Sequence, residues 1–143
     1  MLMINKEDGI RGLAIAFIRK EGKILLSPGF DKSKNEHFYR PIGGGINFGE
    51  TSQEALKREF KEEIDADITD CQLITVIENI FTYEEKPWHE LCFIYEAKFA
   101  DENLYQTEKF KILDSADGEA IWVDTGDLKS AIVYPAGIIN YLD

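Results

Sequence analysis

The chain has 143 residues, enough for one domain over residues 1–143 with a sizeable hydrophobic core. Its 44% hydrophobic and 30% charged content is ordinary for a globular protein, and no apolar run approaches the ~20 residues of a membrane span. A net charge of −11 argues against polymeric nucleic acid as a partner, since that affinity comes largely from Lys and Arg, but not against a small phosphorylated ligand held through a metal ion.

Ile10–Ile18 (IRGLAIAFI) is short and apolar on both faces, which predicts a central strand. Glu21-Gly22 is a turn signal, so Lys23–Leu26 is expected to pair back as a hairpin. Gly29–His37 is polar and reads as a loop. Phe38–Ile42 reads as a short strand that delivers the chain to Gly43, Gly44 and Gly45. Three glycines fit a plain flexible turn, or a loop whose backbone approaches a ligand closely. Their place directly before an acidic helix favours the second reading.

That helix is predicted over Ser52–Ile64, with Thr51 as N-cap and Glu54 completing a capping box. Leu56, Phe60 and Ile64 form one apolar stripe. Glu59, Glu62 and Glu63 fall together on an adjacent face, where like charges three and four apart repel by roughly 0.2–0.5 kcal/mol per pair. Glu62 and Glu63 also stand in the last turn, where the helix dipole disfavours anions. Arg58, four residues before Glu62, offsets only part of this. A solvated acidic face is the simplest account. Three carboxylates gathered at the unfavourable end of a helix point instead to a hard divalent cation such as Mg²⁺ or Mn²⁺ that also holds phosphate oxygens.

Beyond the helix, Gln72–Tyr83 is strand-like and Glu84–Trp88 reads as a loop. In His89–Phe99 the alternation puts Leu91, Phe93, Tyr95, Ala97 and Phe99 on one face, with Glu90 and Glu96 on the other. Phe110–Leu113 and Ala120–Val123 are short strands. A helix is expected from Asp124 to Ala131, and a last one from Pro135 to about Leu142. Strands before and after a central helix, with helices at the end, give an α/β class: an α/β/α sandwich around a mixed sheet. Cys71 and Cys92 have no metal or redox spacing, and Cys92 reads as a core thiol. His37 and His89 are isolated.

Gly44, five residues, Glu50, seven residues, then Arg58-Glu59-Phe60-Lys61-Glu62-Glu63 and Ala66 resembles the Nudix box of the Nudix hydrolases. Asp65 stands where that family has its last glycine, and Ile42 stands where a proline is usual. The resemblance implies a Nudix-like fold and metal-dependent cleavage, by water, of a pyrophosphate linkage in a nucleoside diphosphate derivative. It implies Glu59, Glu62 and Glu63 as metal ligands and catalytic groups, the Gly43 carbonyl as a further ligand, and Mg²⁺ or Mn²⁺ as cofactor. Arg58 would position the carboxylates and Glu50 would buttress loop and helix. Gly44, Gly45 and Arg40 would face the substrate, although for Arg40 a surface salt bridge is an equal reading. The general base varies in the family, and Glu90, Glu78, Asp114 and Asp117 are the candidates, each of them also readable as solvated charge. Phe48, Phe81, Tyr83 and Trp88 can stack on a base or simply pack.

The expected partner is a small nucleotide, with no membrane and no polymeric nucleic acid. The expected compartment is the cytoplasm, because no signal peptide is visible. The sequence does not give the oligomeric state; a homodimer is one option, since dimers are common among homo-oligomers. Two other functions share this pattern. A silent nucleotide-binding sensor on the same fold would be expected to lose part of the Glu59/Glu62/Glu63 set. An isomerase acting on a prenyl diphosphate would need a reactive cysteine, and neither Cys71 nor Cys92 is obviously placed for that.

Overall fold

The alternation of β1 (Ile10–Lys20) divides the protein into two cores. Ala14, Ala16 and Ile18 face one side, and Leu13, Ile15 and Phe17 face the other; all are buried. This is why the strand reads as apolar throughout. The structure, a computed structural model, describes residues 9–142, so the ends of the expected 1–143 span lie outside the described residues.

β1 runs parallel to β6 (Lys86–Phe99), which pairs antiparallel with β5 (Ile68–Tyr83) at the sheet edge. On its other side β1 pairs with β4 (Ile42–Gly45) and, at its end, with β2 (Lys23–Asp31). β2 continues the sheet to β8 (Glu119–Asp124) and β7 (Lys109–Lys111), while its second half pairs with β3 (Glu36–Arg40). The sheet is therefore mixed, as expected, with one parallel pair at its centre. The polar Gly29–His37 stretch is not one loop. β2 extends to Asp31 and β3 begins at Glu36, because Asp31 folds back on the turn through the amides of Ser33 and Lys34. Similarly, Glu84–Trp88 shrinks to a two-residue turn, with Glu84 and Glu85 both at positive φ.

The helix α1 spans Ser52–Ile64, with Thr51 as N-cap and the capping box closed by Glu54. It lays Leu56, Phe60 and Ile64 onto the first core, where they meet Tyr95, Ala97 and Phe99 of β6. The second core is closed by Leu128, Ile138 and Leu142. These come from 3₁₀ segments, Thr125–Ser130 and Ile138–Tyr141, and not from the α-helices expected at Asp124–Ala131 and Pro135–Leu142. Gly126 sits inside the first segment and Gly137, at φ 87°, precedes the second, so neither stretch propagates beyond about a turn. No helix among the described residues is long and apolar enough to cross a membrane.

Asp65 holds the left-handed conformation that ends α1, at φ 52° and ψ 44°, and its amide donates to the Lys61 carbonyl at 3.1 Å. A glycine takes this geometry without a Cβ penalty. The exposed Lys61–Asp65 pair, at 3.2 Å, offsets little of that cost. Asp65→Gly should therefore raise unfolding stability by ~0.5–1 kcal/mol in urea melts. Destabilisation by the glycine would mean that the ion pair outweighs the strain.

Candidate active site

The glycines sit in strand β4, not in a loop, and packing explains two of them. Gly43 lies opposite Ile15 at φ +149°, where a Cβ would collide with the Ala14 carbonyl oxygen. At Gly44 the space of a side chain is filled by the Glu59 carboxylate, which would lie 2.5 Å from a Cβ. The Gly45 carbonyl accepts from Arg58 Nη2 at 2.8 Å. Strand and helix thus meet over a surface without side chains.

Arg58 is the centre of that contact. Its Nε and Nη2 donate to both oxygens of Glu50 at 2.8 Å, and its Nη1 donates to Glu59 at 2.9 Å and to Glu62 at 3.1 Å. Glu50 is fixed in turn by the Asn47 amide at 2.9 Å. The Arg58 hydrogen bonds, followed by the Asn47 amide, hold the Glu50 carboxyl down at about 2. Reciprocally, Glu50 and then Glu59 raise the pKa of Arg58 despite its partial burial.

Glu63 is the exception in the cluster. Among the described residues it has no ion pair, and burial, with the charges of Glu59 and Asp114, pushes it up to about 7. The Gly43 amide and the charge of Arg40 pull the other way. The chain also ties Glu63 to the β7–β8 loop, where the Leu113 amide donates to the Glu63 carbonyl at 2.8 Å. A half-buried carboxylate repelled by its neighbours is of the right kind for a hard cation, and so are the flanking oxygens of Glu59 and Glu62. As they stand, no three acidic, His or Cys side chains among the described residues enclose an ion-sized point. Arg58 holds Glu59 and Glu62 toward Glu50, and Glu62 is 58% exposed.

Arg40, the last residue of β3, lines a small recess with Gly43 and Glu63 and also a larger cavity of ≈ 270 Å³. It makes no ion pair among the described residues, so the salt-bridge reading does not hold within them. The larger cavity is walled by Phe38, Phe81, Tyr83, Trp88 and Tyr134. Phe81 and Trp88 are parallel within 13°, at 6.5 Å between centroids. Phe48, by contrast, is fully in solvent, away from these walls.

Glu90 also lines the cavity and is only 7% exposed, so the reading of solvated charge is wrong for it. The alternation of β6 put Glu90 on the face opposite Leu91, correctly. What could not be seen is that Arg11 of β1 reaches it, at 3.4 Å. Glu78 and Asp117 are exposed and touch neither recess, while Asp114 lies close enough to Glu63 to raise its pKa. Burial raises the thiol pKa of Cys71 and pushes Cys92 up to about 12, so neither is an activated thiol of the kind an isomerase would need.

The NUDIX domain family model matches residues 10–138. The chain belongs to the Nudix family. Members of this family of hydrolases typically act on nucleoside diphosphate-linked substrates. A MutT NUDIX hydrolase from Burkholderia pseudomallei is similar in fold, with a TM-score of 0.71 at 20% identity, covering 94% of this chain and 99% of that one. A NUDIX hydrolase from Nitrosomonas europaea gives a TM-score of 0.67 at 16% identity over 94% of this chain and 86% of the other. An RNA pyrophosphohydrolase from Erwinia tasmaniensis is 29% identical over 79 residues, 54% of this chain. The match spans less than half of that relative, 43% of its length.

The Glu50–Arg58 pair carries a pH signature. Because folding lowers the Glu50 pKa from 4.5 to about 2, the pair's contribution is present above about 4.5 and is lost as pH falls through about 2. Glu50→Gln should be less stable than wild type at pH 6, and the gap should narrow steadily in urea melts taken at pH 5, 4 and 3. A gap that stays constant over this range would mean that Glu50 is not the ionised partner of Arg58.

Proposed function

We propose that the protein is a divalent-metal-dependent hydrolase that cleaves a phosphoanhydride bond in a small nucleoside diphosphate-linked substrate, with Mg²⁺ or Mn²⁺ as cofactor. The observation that carries this reading is the position of Arg40. It stands between an aromatic cavity shaped for a base and a glutamate cluster in which the half-buried Glu63 has no cation paired to it among the described residues. Base, phosphates and carboxylates then follow one another in a line.

Glu59, Glu62 and Glu63 would hold the metal, with the Gly43 carbonyl as a further ligand. When bound, the ion supplies positive charge against the phosphate oxygens, the main lever in phosphoryl chemistry. The remaining work belongs to the chain. Arg40 binds the phosphate oxygens and sets the anhydride beside Glu63, an effect of positioning and charge. Arg58 positions Glu59 and Glu62 through charge-assisted hydrogen bonds, and Glu50 fixes Arg58. Gly44 lets Glu59 approach the strand, and Gly45 anchors Arg58, so these glycines shape the site from behind rather than touching substrate. Among the four carboxylates considered for accepting a proton from the attacking water, Asp114 is the one that lies beside Glu63.

The relative named as an RNA pyrophosphohydrolase raises RNA with a pyrophosphate linkage as a substrate. The net charge of −11 favours the small nucleotide, since a polymer would meet repulsion beyond its end.

Purified protein incubated with Mg²⁺ or Mn²⁺ should release phosphate or pyrophosphate, or split a dinucleotide, for at least one member of a panel of nucleoside triphosphates, sugar nucleotides, ADP-ribose and dinucleoside polyphosphates. EDTA should stop the reaction. A 5′-triphosphorylated RNA belongs in the same panel, and faster turnover of it than of any small nucleotide would overturn the substrate class. Nucleotide binding without turnover by any member would favour the sensor function.

A second test concerns the active face. Glu63→Gln should lower kcat by at least about 10–100-fold, the scale of a disturbed metal site. Lys57→Gln, on the exposed side of α1, should leave kcat within about twofold. Equal losses in both variants would place the active face elsewhere.

A further inference from the structure

Two buried polar side chains in the wall of the aromatic cavity take no part in the hydrolysis just described. Asn79 of β5 and Glu90 of β6 are direct partners in the antiparallel ladder, 4% and 7% exposed. Both line the cavity. Buried polar groups are rarely left without partners, because desolvation is costly. Glu90 nonetheless has one contact, Arg11 Nη1, at the long distance of 3.4 Å. The Asn79 side chain has no hydrogen bond among the described residues. The same wall carries flat surfaces: Trp88 beside Phe81, with the Arg11 guanidinium 5.4 Å from the centre of the Trp88 ring. Together these make a slot for a planar, polar-edged ring. At ≈ 270 Å³ it lies near the low end of small-ligand pockets, ~300–1,000 Å³.

We infer that this cavity selects guanine, with Glu90 as the specificity-determining residue. The inference rests on the nucleotide reading above and adds the identity of the base. A carboxylate offers two adjacent acceptors and so fits an edge with two adjacent donors. Guanine has that edge, in its N1–H and N2 amino group. Adenine and cytosine each place a ring-nitrogen acceptor beside the amino group, which would face the carboxylate with a lone pair. Uracil has a single N–H flanked by two carbonyls. The Asn79 amide and the Arg11 guanidinium supply donors for the guanine O6, and the aromatic walls stack on the ring. A site built from buried polar groups discriminates strongly, because the wrong base leaves them unpaired.

The test uses mononucleotides, which contain no anhydride bond, so binding is read apart from turnover. GMP, IMP, AMP and CMP are titrated in Mg²⁺ while the fluorescence of Trp88 is followed, with Trp122→Phe removing the other tryptophan. GMP should bind at least about tenfold more tightly than AMP or CMP, with IMP, which lacks the N2 amino group, in between. Glu90→Gln should weaken GMP by about tenfold or more and leave AMP within about threefold. Equal affinities, a preference for AMP or CMP, or no binding by any of the four would overturn the inference. A GMP preference that survives Glu90→Gln would overturn the role of Glu90. If Glu90→Gln does not fold, as judged by its melting transition, the GMP to IMP to AMP order in the Glu90-containing protein decides. Hydrolysis of the corresponding triphosphates is measured separately. Turnover without base preference sinks the guanine inference and leaves the hydrolase standing, while guanine-selective binding without turnover does the reverse.

Discussion

The Arg58 guanidinium is the interaction on which the site depends. It is one planar cation with donors in a fixed fork, and its hydrogen bonds reach two oxygens of Glu50, one of Glu59, one of Glu62 and the Gly45 carbonyl. A lysine could supply the charge but not the simultaneous directions. The consequence is mechanical as well as electrostatic. Helix α1 is tied to strand β4 and to the loop that leads into its N-terminus. The acidic face of α1 is thereby held against the glycines, and Gly44 is open for the Glu59 carboxylate because it has no side chain.

One carboxylate lies outside this arrangement. Glu63 makes no hydrogen bond to Arg58, is half-buried and close to Asp114, and its proton affinity rises accordingly. Electrostatically the site is therefore unfinished in one direction and neutralised in the other. That polarity points the demand for positive charge toward Arg40 and the recess it shares with Gly43. Arg40 in turn lies at the border of the aromatic cavity. Strand β3 and the β5–β6 hairpin, distant from each other in sequence, bring their side chains to this one border because β3 pairs with β2 and β6 pairs with β1, and β1 and β2 are neighbours in the sheet.

The two faces of the sheet divide the labour. On one face α1 packs through Leu56, Phe60 and Ile64, and this core fixes the orientation of the glutamates. On the other, short 3₁₀ segments close the core with Leu128 and Ile138, while Tyr134 joins the cavity wall against Phe81. Tyr134 lies in the stretch between the two 3₁₀ segments, where its amide donates to the Tyr39 carbonyl at 2.9 Å and so fixes it beside β3.

Features that depend on residues close in the chain are legible without knowledge of any partner strand. The limits of α1, its Thr51–Glu54 capping box, its apolar stripe and the clustering of Glu59, Glu62 and Glu63 follow from helical periodicity. The two-faced burial of β1 follows from an apolar run too short for a helix to be preferred. The same locality explains the misreadings. Polar content suggested a loop at Gly29–His37, whereas strand pairing between β2 and β3 is set by partners across a turn. Three glycines suggested an open loop, whereas β4 is held as a strand by its ladder with β1, and the space over Gly44 belongs to Glu59. Folding alone puts Glu90 in a buried place beside Arg11, seventy-nine positions away, sets Asn79 opposite it, and brings Arg40 to the border of both recesses. The Arg11–Glu90 contact and the place of Arg40 depend on a sheet order that no local pattern encodes, and the Asn79–Glu90 pairing depends on the register of a hairpin whose turn is not legible as a turn in the sequence. An isolated Glu, Asn or Arg carries no periodic signal that would tell a buried wall from a solvated surface.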